Sequence, residues 1–368
     1  MTSAERHEAR YQRRKTARQQ KRDERGSRSF EDVFSFQNLY KAGVKSATGV
    51  RWKSSTQRYE NSILQNTART YTALMNNKWK SRGFHEFDII ERGKLRHIKS
   101  VHISERAVQR CLCDEILVSV FSAGFIYDNG ASLKNKGIDF SMNRLTAHMQ
   151  RHFRKYGMDG GILLFDFSDY FNSSRHEPIF RELDRRIVDD RIRQLTKSLI
   201  NDFGEVGLGL GSQVSQISAL MLPNKLDHAI KQGGIRGYAR YMDDGYLIHH
   251  DVEYLKSLIP KLKEVCSELG INLNTKKTRI VPFHSGARFL KTKFSPTESG
   301  LILRKMNRVG VRKMREKLKK FRKWVDEDKF TEKDVETSYQ SWRGHMKRGN
   351  SYHTLQKMDA LYRELYGR

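Results

Sequence analysis

Alternation of apolar and polar residues predicts most of the strands in this chain. Between residues 83 and 97 the alternation continues on both sides of a Glu-Arg-Gly turn, which predicts an antiparallel hairpin. An uninterrupted apolar run at 162–165 ends in Asp166 and predicts a buried strand. Further strands are predicted at 238–242, 245–249, 271–273, 278–281 and 289–294, with Asp243 and Asp244 at the tip of the second hairpin.

Apolar residues that recur every three or four positions predict the helices. One helix follows Ser104, where Val108, Leu112 and Ile116 share a face. Four others are predicted from about residue 137, over 215–230, over 252–269 and over 304–323. The pattern therefore predicts an interwoven globule followed by a helical C-terminal part.

The charge of the chain indicates its partner. Seventy Lys and Arg stand against 42 Asp and Glu, which gives a net charge of +28 and favours a polyanion such as nucleic acid. Residues 1–28 hold ten of these bases and form either a mobile electrostatic arm or a basic helix on RNA. Residues 304–323 hold eleven bases and one acid, and form either a solvated face or a surface for nucleic acid.

Composition also argues against other classes of protein. No apolar run is long enough to cross a membrane, and the N-terminus lacks the apolar segment of a secretory signal. Three cysteines cannot build a disulfide framework, so we expect a reduced, cytoplasmic protein. Cys111 and Cys113 are two positions apart in a predicted helix and would point apart, so we expect no zinc site there.

Three aspartates carry the candidate chemistry. Asp243 and Asp244 are adjacent carboxylates that repel each other unless a cation neutralises them, although Asp-Asp-Gly can also be only a hairpin turn. Asp166 ends an apolar strand, where it can also be a helix N-cap. If that strand lies beside the hairpin, Asp166 and Asp243 face each other and could hold two Mg²⁺ ions. Such a pair of ions suits in-line phosphoryl transfer.

The order of four motifs resembles the palm of reverse transcriptases. The motifs are Asp-Phe-Ser-Asp-Tyr-Phe at 166–171, a glycine-rich turn and helix start at 207–216, Tyr-Met-Asp-Asp at 241–244 and Leu-Asn-Thr-Lys-Lys-Thr at 273–278. A strand similar to the primer grip follows at 289–291, so that the resemblance covers residues 83–295.

The second motif is similar to one branch of the family. Leu210-Gly211 and Ser215-Gln216 stand where other bacterial enzymes carry Gln-Gly and Ser-Pro. This pattern resembles the bacterial and phage reverse transcriptases of diversity-generating retroelements and of antiviral, abortive-infection-like defence.

The resemblance implies a role for each motif residue. Asp166, Asp243 and Asp244 would be catalytic and would bind two Mg²⁺ ions together with the backbone carbonyl of Phe167. The residues expected around the incoming nucleotide are Lys94, Arg96, Asp169, Tyr170, Phe171, Gly211, Gln216 and Lys277. The residues expected to contact template and primer are Leu210, Ser215, Tyr241, Met242, Leu290, Arg312 and Lys319.

Some of these residues also have simpler interpretations. Phe171 would exclude a 2′-hydroxyl and so select dNTPs, or it is a core side chain. Lys94 and Arg96 would pair with the triphosphate, or they lie on a solvated strand face. Lys277 matches the position proposed in the family as an acid for pyrophosphate.

The resemblance implies an α+β right-hand fold with fingers, a palm that is a split βαβ antiparallel sheet, and a helical thumb. The expected boundaries are a basic tail at 1–29, fingers with an N-terminal extension at 30–150, palm at 151–175, fingers at 176–204, palm at 205–295 and a basic helical thumb at 296–368.

The expected function is RNA-directed DNA synthesis on a dedicated, structured non-coding RNA, with a role in antiphage defence. The partners would be the RNA template, the DNA product and dNTPs, with an accessory protein or a homo-oligomer as further options and no membrane. The alternatives are mutagenic retrohoming in a diversity-generating retroelement, a template-independent or protein-primed DNA polymerase, and a non-catalytic RNA-binding protein with a polymerase-like palm.

Overall fold

A computed structural model describes residues 2–91 and 94–367 of the chain. These residues form α-helices and antiparallel strands, which confirms the predicted α+β class. The helices are α1 (Ser3–Gly26), α2 (Phe30–Val33), α3 (Phe36–Ala47), α4 (Ser54–Asn61), α5 (Ile63–Met75), α6 (Ile103–Leu112), α7 (Val118–Ser122), α8 (Ile138–Tyr156), α9 (Tyr170–Ser173), α10 (Glu177–Arg186), α11 (Asp190–Asn201), α12 (Gln213–Met221), α13 (Asn224–Gln232), α14 (Val252–Glu268), α15 (Arg308–Asp326), α16 (Glu332–Met346) and α17 (Tyr352–Tyr366).

The strands form three antiparallel sheets within the described residues. The strands are β1 (Phe84–Glu91), β2 (Lys94–Val101), β3 (Gly161–Asp166), β4 (Gly237–Tyr241), β5 (Asp244–His249), β6 (Arg279–Pro282), β7 (Ala287–Phe289), β8 (Thr292–Pro296) and β9 (Ile302–Lys305). Their orders are β1-β2, β4-β5-β3-β6 and β7-β8-β9. The predicted hairpin of residues 83–97 is thus present as β1 and β2, and the Arg92-Gly93 part of its turn lies outside the described residues.

The chain divides into two compact units. Unit 1 consists of Met1–Tyr127, Phe167–Ala229 and Leu262–Leu273, and unit 2 consists of Asp128–Asp166, Ile230–Lys261 and Asn274–Arg368.

Unit 1 is mainly helical. Tyr59 on α4 and Ile103 and Ala107 on α6 are buried together. Residues 1–28, predicted to be either a mobile arm or a basic helix, contain the helix α1. Thr2 caps this helix by accepting a hydrogen bond from the Glu5 amide. At the other end of α1, the Gly26 carbonyl accepts a hydrogen bond of 2.9 Å from the Val188 amide.

Unit 2 contains the four-stranded sheet, with α8 packed on it. Met142, Leu145 and Met149 of α8 are buried against strand residues that include Ile162 and Tyr246. Helices α15, α16 and α17 have a core of their own, made by Met314, Leu318, Phe321, Val335, Tyr339, Met358 and Tyr366. The apolar residues of α15 recur every three or four positions, which predicts this packing and leaves the Lys and Arg residues on the outer face.

Four predicted elements differ from the structure. The helix expected at 215–230 is two helices, because Pro223 lacks an amide hydrogen and instead precedes α13. The strand expected at 289–294 is the hairpin of β7 and β8, with Leu290 and Lys291 in its turn at φ values of 47° and 68°. Residues 271–273 pair through a single bridge, from Leu273 to Phe167, rather than as a strand.

The fourth difference concerns the hairpin of β4 and β5. Its turn residues are Met242 and Asp243, and Asp244 is the first residue of β5, paired with Tyr241. The tip is therefore shifted by one residue from the prediction.

The cysteines are buried. Cys111 lies on α6, Cys113 begins a π-helical turn at Cys113–Leu117, and Cys266 lies on α14; none of the three forms a disulfide. Among the described residues, no helix combines the length and the apolar character that crossing a membrane requires.

Candidate active site

The four-stranded sheet of unit 2 brings two of the three aspartates together. β3 lies between β5 and β6, and its last residue, Asp166, is the direct cross-strand partner of Asp244. Cross-strand partners project from the same side of a sheet, so the two carboxyl groups are neighbours. The prediction that Asp243 faces Asp166 is corrected by one residue, because Asp243 belongs to the turn.

The turn that carries Asp243 has an uncommon backbone conformation. Met242 has a φ of 54°, in the left-handed region that favours glycine. Arg240 precedes it by two residues and is fully buried, and its guanidinium donates a hydrogen bond of 2.8 Å to the Met242 carbonyl. Arg240 therefore fixes the path along which the chain enters Asp243 and Asp244.

The surroundings of Asp244 favour its protonated form. Burial, and then the carboxylates of Asp243 and Asp166, raise the pKa of Asp244 to about 7, while Lys277 lowers it. The Lys277 ammonium donates a hydrogen bond to Asp166, and this bond raises the pKa of Lys277. Lys277 thus contacts Asp166 directly and lowers the pKa of Asp244 through its charge.

A cavity of about 230 Å³ adjoins these carboxyl groups. Asp166 and Asp244 line one part of it, and the turn between β7 and β8 lines another. The basic residues of its lining are Lys276, Lys277, Arg279, Arg288 and Lys291. Carboxylates that can bind a cation therefore lie beside lysines and arginines that can bind phosphate groups. Nucleotidyl transfer requires both.

A buried polar cluster supports the sheet behind the aspartates. Asp128 accepts hydrogen bonds of 2.5 Å from Arg144 and 2.9 Å from Lys231. His148 accepts a bond of 3.0 Å from Arg144 at Nε2, so its proton is on Nδ1, which lies 3.0 Å from the Tyr246 hydroxyl. Burial lowers the pKa of His148 to about 4, so the ring is neutral near pH 7. No motif in the sequence marks this cluster, because its members are far apart along the chain.

The donor set fits a hard divalent cation in its chemistry. Carboxylates are preferred ligands of Mg²⁺, and the cross-strand partners Asp166 and Asp244 supply a neighbouring pair of them. Within residues 2–91 and 94–367, however, no three Asp, Glu, His or Cys side chains converge closely enough to hold a metal ion.

The remaining residues of the first motif lie in unit 1. Phe167 is buried, with its ring 5.1 Å from that of Tyr170, whose hydroxyl donates a 2.5 Å hydrogen bond to the Ala219 carbonyl. Asp169 is left-handed at a φ of 47° and precedes α9. Phe171 is half-buried. This exposure fits both a side chain that selects the nucleotide and a core side chain.

The second motif forms a basic cavity of about 250 Å³ in unit 1. Gly211, at a φ of 103°, and exposed Gln216 line it together with the three bases Lys45, Arg106 and Arg110. Leu210 is half-buried, while Ser215 is fully buried and accepts a hydrogen bond of 3.1 Å from the Gly209 amide. Ser215 thus shapes the glycine-rich turn through its hydroxyl.

The other predicted contact residues lie on exposed elements. Arg96 is exposed on β2, and Lys94 begins this strand with a side chain outside the described part. Arg312 and Lys319 are exposed on α15, with Arg312 3.7 Å from Glu316. Tyr241, Met242 and Leu290 are half-buried.

Comparison with protein families decides the class of the chain. The family model for reverse transcriptase (RNA-dependent DNA polymerase) matches residues 91–294, more than half of the sequence. The chain belongs to the reverse transcriptase family. The resemblance seen in the four motifs is therefore confirmed, and all four motifs fall within the matched residues of this reverse transcriptase.

Two telomerases are among the solved structures that are similar to this chain. Telomerase from Candida albicans, in complex with a TWJ fragment of telomeric RNA, has a TM-score of 0.49 and 13% identity over 78% of this chain and 55% of that one. Apo telomerase from Candida tropicalis, truncated from the C-terminal domain, has a TM-score of 0.43 and 11% identity over 63% of this chain and 58% of that one. This reverse transcriptase thus spans less than two thirds of either telomerase chain. A comparison with curated proteins finds no match.

Proposed function

We propose that this chain is an active RNA-directed DNA polymerase. The observation that carries the proposal is the pairing of Asp166 with Asp244 across two strands, beside a basic cavity, in a member of the reverse transcriptase family. A non-catalytic RNA-binding protein would have no need to retain paired carboxylates in surroundings that raise the pKa of one of them.

The cofactor we propose is a pair of Mg²⁺ ions. Asp166, Asp243 and Asp244 would hold them, together with the backbone carbonyl of Phe167. Bound there, the ions would supply the charge that activates the primer 3′-hydroxyl and stabilises the leaving pyrophosphate.

The side chains around this site would bind and position the substrates. Lys277 and the other bases of the 230 Å³ cavity would bind phosphate groups, and Lys277 would be placed to protonate pyrophosphate. Phe171 would exclude ribonucleotides by its bulk. The other proposed nucleotide-binding residues are Lys94, Arg96, Asp169, Tyr170, Gly211 and Gln216.

We further propose that the template is a structured non-coding RNA and that the protein acts in the cytoplasm in antiphage defence. The net charge of +28 supports tight RNA binding, and the Leu210-Gly211 and Ser215-Gln216 pairs support the defence and retroelement branch. An accessory protein or a second copy of the chain would be a further partner. Retrohoming in a diversity-generating retroelement is the competing role.

Substitution of the aspartates tests the polymerase proposal. Asp243→Asn with Asp244→Asn should lower Mg²⁺-dependent primer extension on an RNA template by a factor of about a thousand or more, since several kcal/mol of charge stabilisation are removed. RNA affinity should be unchanged. The matched control is Glu253→Gln, which removes an exposed carboxylate from the same unit. Synthesis at the unsubstituted rate in the double variant would contradict the proposal.

Analysis of the natural product tests the role. Sequencing the RNA that copurifies with the protein, and the cDNA made from it, should give one defined RNA. A cDNA with scattered substitutions matching a variable gene would favour retrohoming. DNA that remains joined to protein after nuclease digestion would favour protein priming, and product without a template match would favour template-independent synthesis.

A further inference from the structure

A groove in unit 1 takes no part in the proposed polymerase chemistry. It has a volume of about 810 Å³ and lies between α10, the turn that joins α12 to α13, and the end of α14. Its floor is apolar, since Met221 and Leu222 are buried and Leu269 is half-buried. An apolar floor in an open groove favours a ligand with apolar side chains of its own.

Charged side chains of both signs surround this floor. They are Arg181, Glu182, Arg185, Arg186, Lys225 and Glu268. Glu182 accepts hydrogen bonds of 2.7 Å from both Arg185 and Arg186. On the opposite wall Glu268 accepts one of 2.5 Å from Lys225. Four bases and two acids leave an excess of two positive charges around the groove.

Two arginines of α10 carry this excess at the rim. The side chains of Arg181 and Arg185 are 65% and 64% exposed, and a spacing of four residues places them on one face of the helix. Arg181 lies 3.9 Å from Glu177, which is itself 75% exposed, and such a solvated pair contributes little. Both guanidinium groups can therefore reach carboxylates of a partner.

A buried amide oxygen in the lining also lacks a donor. Asn224 lines the groove at the start of α13, and its Oδ1 atom is buried with no hydrogen-bond partner among the described residues. A buried acceptor that stays unpaired destabilises a fold. A donor from a bound partner would remove this cost, so Asn224 favours an occupied groove.

The lining favours a protein over nucleic acid and over a second copy of the chain. No described residue that lines the groove is aromatic, so none can stack on a base, and Glu182 and Glu268 would repel phosphates. An apolar floor with Met and Arg inside a rim of paired charges is typical of protein interfaces. A second copy would bring another net charge of +28, which repels the first.

We propose that this groove docks an amphipathic helix of a different, acidic protein. Apolar side chains of that helix would cover Met221, Leu222 and Leu269, and its carboxylates would pair with Arg181 and Arg185. The 10 residues of α10 span about 15 Å, which matches about three turns of a bound helix. The existence of an accessory partner rests on the proposed function, whereas the place and chemistry of docking rest on the groove.

Binding of a labelled synthetic helix to the full chain, in EDTA and without dNTPs, tests the groove. One peptide carries leucines along one face and glutamates beside them, and a second carries glutamines in place of the glutamates. Arg181→Gln with Arg185→Gln should weaken binding of the glutamate peptide about tenfold or more, because two arginines lose their carboxylate partners. The affinity for the glutamine peptide should be nearly unchanged.

The apolar floor and the charge of the chain are tested separately. Leu269→Ala should weaken binding of both peptides about fivefold, since it removes apolar contact and no charge. Lys41→Gln with Arg69→Gln is the matched control, because it removes two exposed bases of unit 1 outside the groove, and its affinities should equal those of the unsubstituted chain.

Four outcomes would overturn the proposal. The first is a glutamate peptide that does not bind the unsubstituted chain, and the second is unchanged affinity in both groove variants. The third is an Arg181 and Arg185 variant that binds this peptide normally and loses affinity for duplex RNA. The fourth is self-association of the unsubstituted chain in sedimentation that this variant abolishes.

These assays need neither metal nor synthesis. Failure of the docking proposal is therefore distinct from failure of the polymerase proposal, which the Asp243 and Asp244 variant tests.

Discussion

At the scale of single residues, the site depends on charged side chains in unequal surroundings. Buried Asp166 contacts Lys277, whereas half-buried Asp244 lies near two other carboxylates, and its surroundings raise its pKa to about 7. The sequence identifies these aspartates, since they end or begin strands in a known order of motifs. It does not identify Arg240, because a single base in an apolar strand pattern gives no sign of the carbonyl that it contacts.

Arg240 should act as a positioning residue for the turn at Met242. Arg240→Met removes the hydrogen bond to the Met242 carbonyl and leaves the left-handed backbone unsupported, at a cost of about 1–3 kcal/mol. We expect kcat for dNTP incorporation to fall about tenfold or more, with a smaller change in KM.

Glycine at the turn provides the control. Met242→Gly added to Arg240→Met should recover part of kcat, since glycine adopts a positive φ without strain. A purely structural role for Arg240 predicts a lowered Tm that Met242→Gly does not change, together with unaltered kcat in the folded fraction. That combination would contradict the positioning role.

At the scale of elements, apolar periodicity locates those helices and strands that are held by one regular core face. It locates α8 and α14 for this reason, whereas β3 follows from its uninterrupted apolar run and the mostly exposed β1–β2 hairpin from its alternation alone. It misses the turns at 222–223, 242–243 and 290–291, where a missing amide hydrogen or a positive φ decides the path of the chain. The cluster around Asp128 is also missed, since its members come from α8, α13 and β5 and meet only in the folded unit.

The Asp128 cluster should make stability fall in mild acid. The pKa of His148 is about 4 in the folded chain and about 6.5 when unfolded, so the unfolded state binds more protons between these values. The free energy of unfolding should therefore decrease by up to about 3 kcal/mol as pH falls from 6.5 to 4. The lowered pKa of Asp128 acts in the same direction at lower pH.

Urea denaturation at several pH values measures this effect. His148→Gln keeps an acceptor for Arg144 and has no titration in this range, so its free energy of unfolding should vary less between pH 6.5 and 4 than that of the unsubstituted chain. His7→Gln, on exposed α1, is the matched control. Equal pH dependence in the His148 variant would show that the cluster does not couple protonation to folding.

At the scale of the whole molecule, the excess of positive charge is distributed along the chain, and α1 carries part of it. This helix has nine Lys and Arg residues against four Asp and Glu, is exposed along most of its length and contains no Leu, Ile, Val, Phe or Trp. With no apolar stripe, it cannot bury a face against another helix or insert into a lipid surface. Its composition suits the phosphate backbone of RNA, which Arg binds well.

Neutralising one face of α1 should weaken binding of structured RNA. Arg6→Gln, Arg10→Gln and Arg13→Gln together should reduce the salt slope of RNA affinity by up to about 0.9 for each phosphate that is no longer neutralised. Gln12→Ala with Gln19→Ala, whose side chains bond to Glu8 and Asp23, is the uncharged control. An unchanged slope in the triple arginine variant would mean that α1 makes no contact with RNA.

The buried thiols have a practical consequence for experiments on this protein. Burial raises the pKa of Cys111 to about 12 and raises that of Cys113 as well, and Cys266 is equally enclosed. A protected, protonated thiol reacts slowly with maleimides and oxidants. A cysteine placed at an exposed position, such as Ser54→Cys at the start of α4, would be the fast-reacting one. Fluorophores and spin labels could then be attached to the folded chain with its own cysteines left in place.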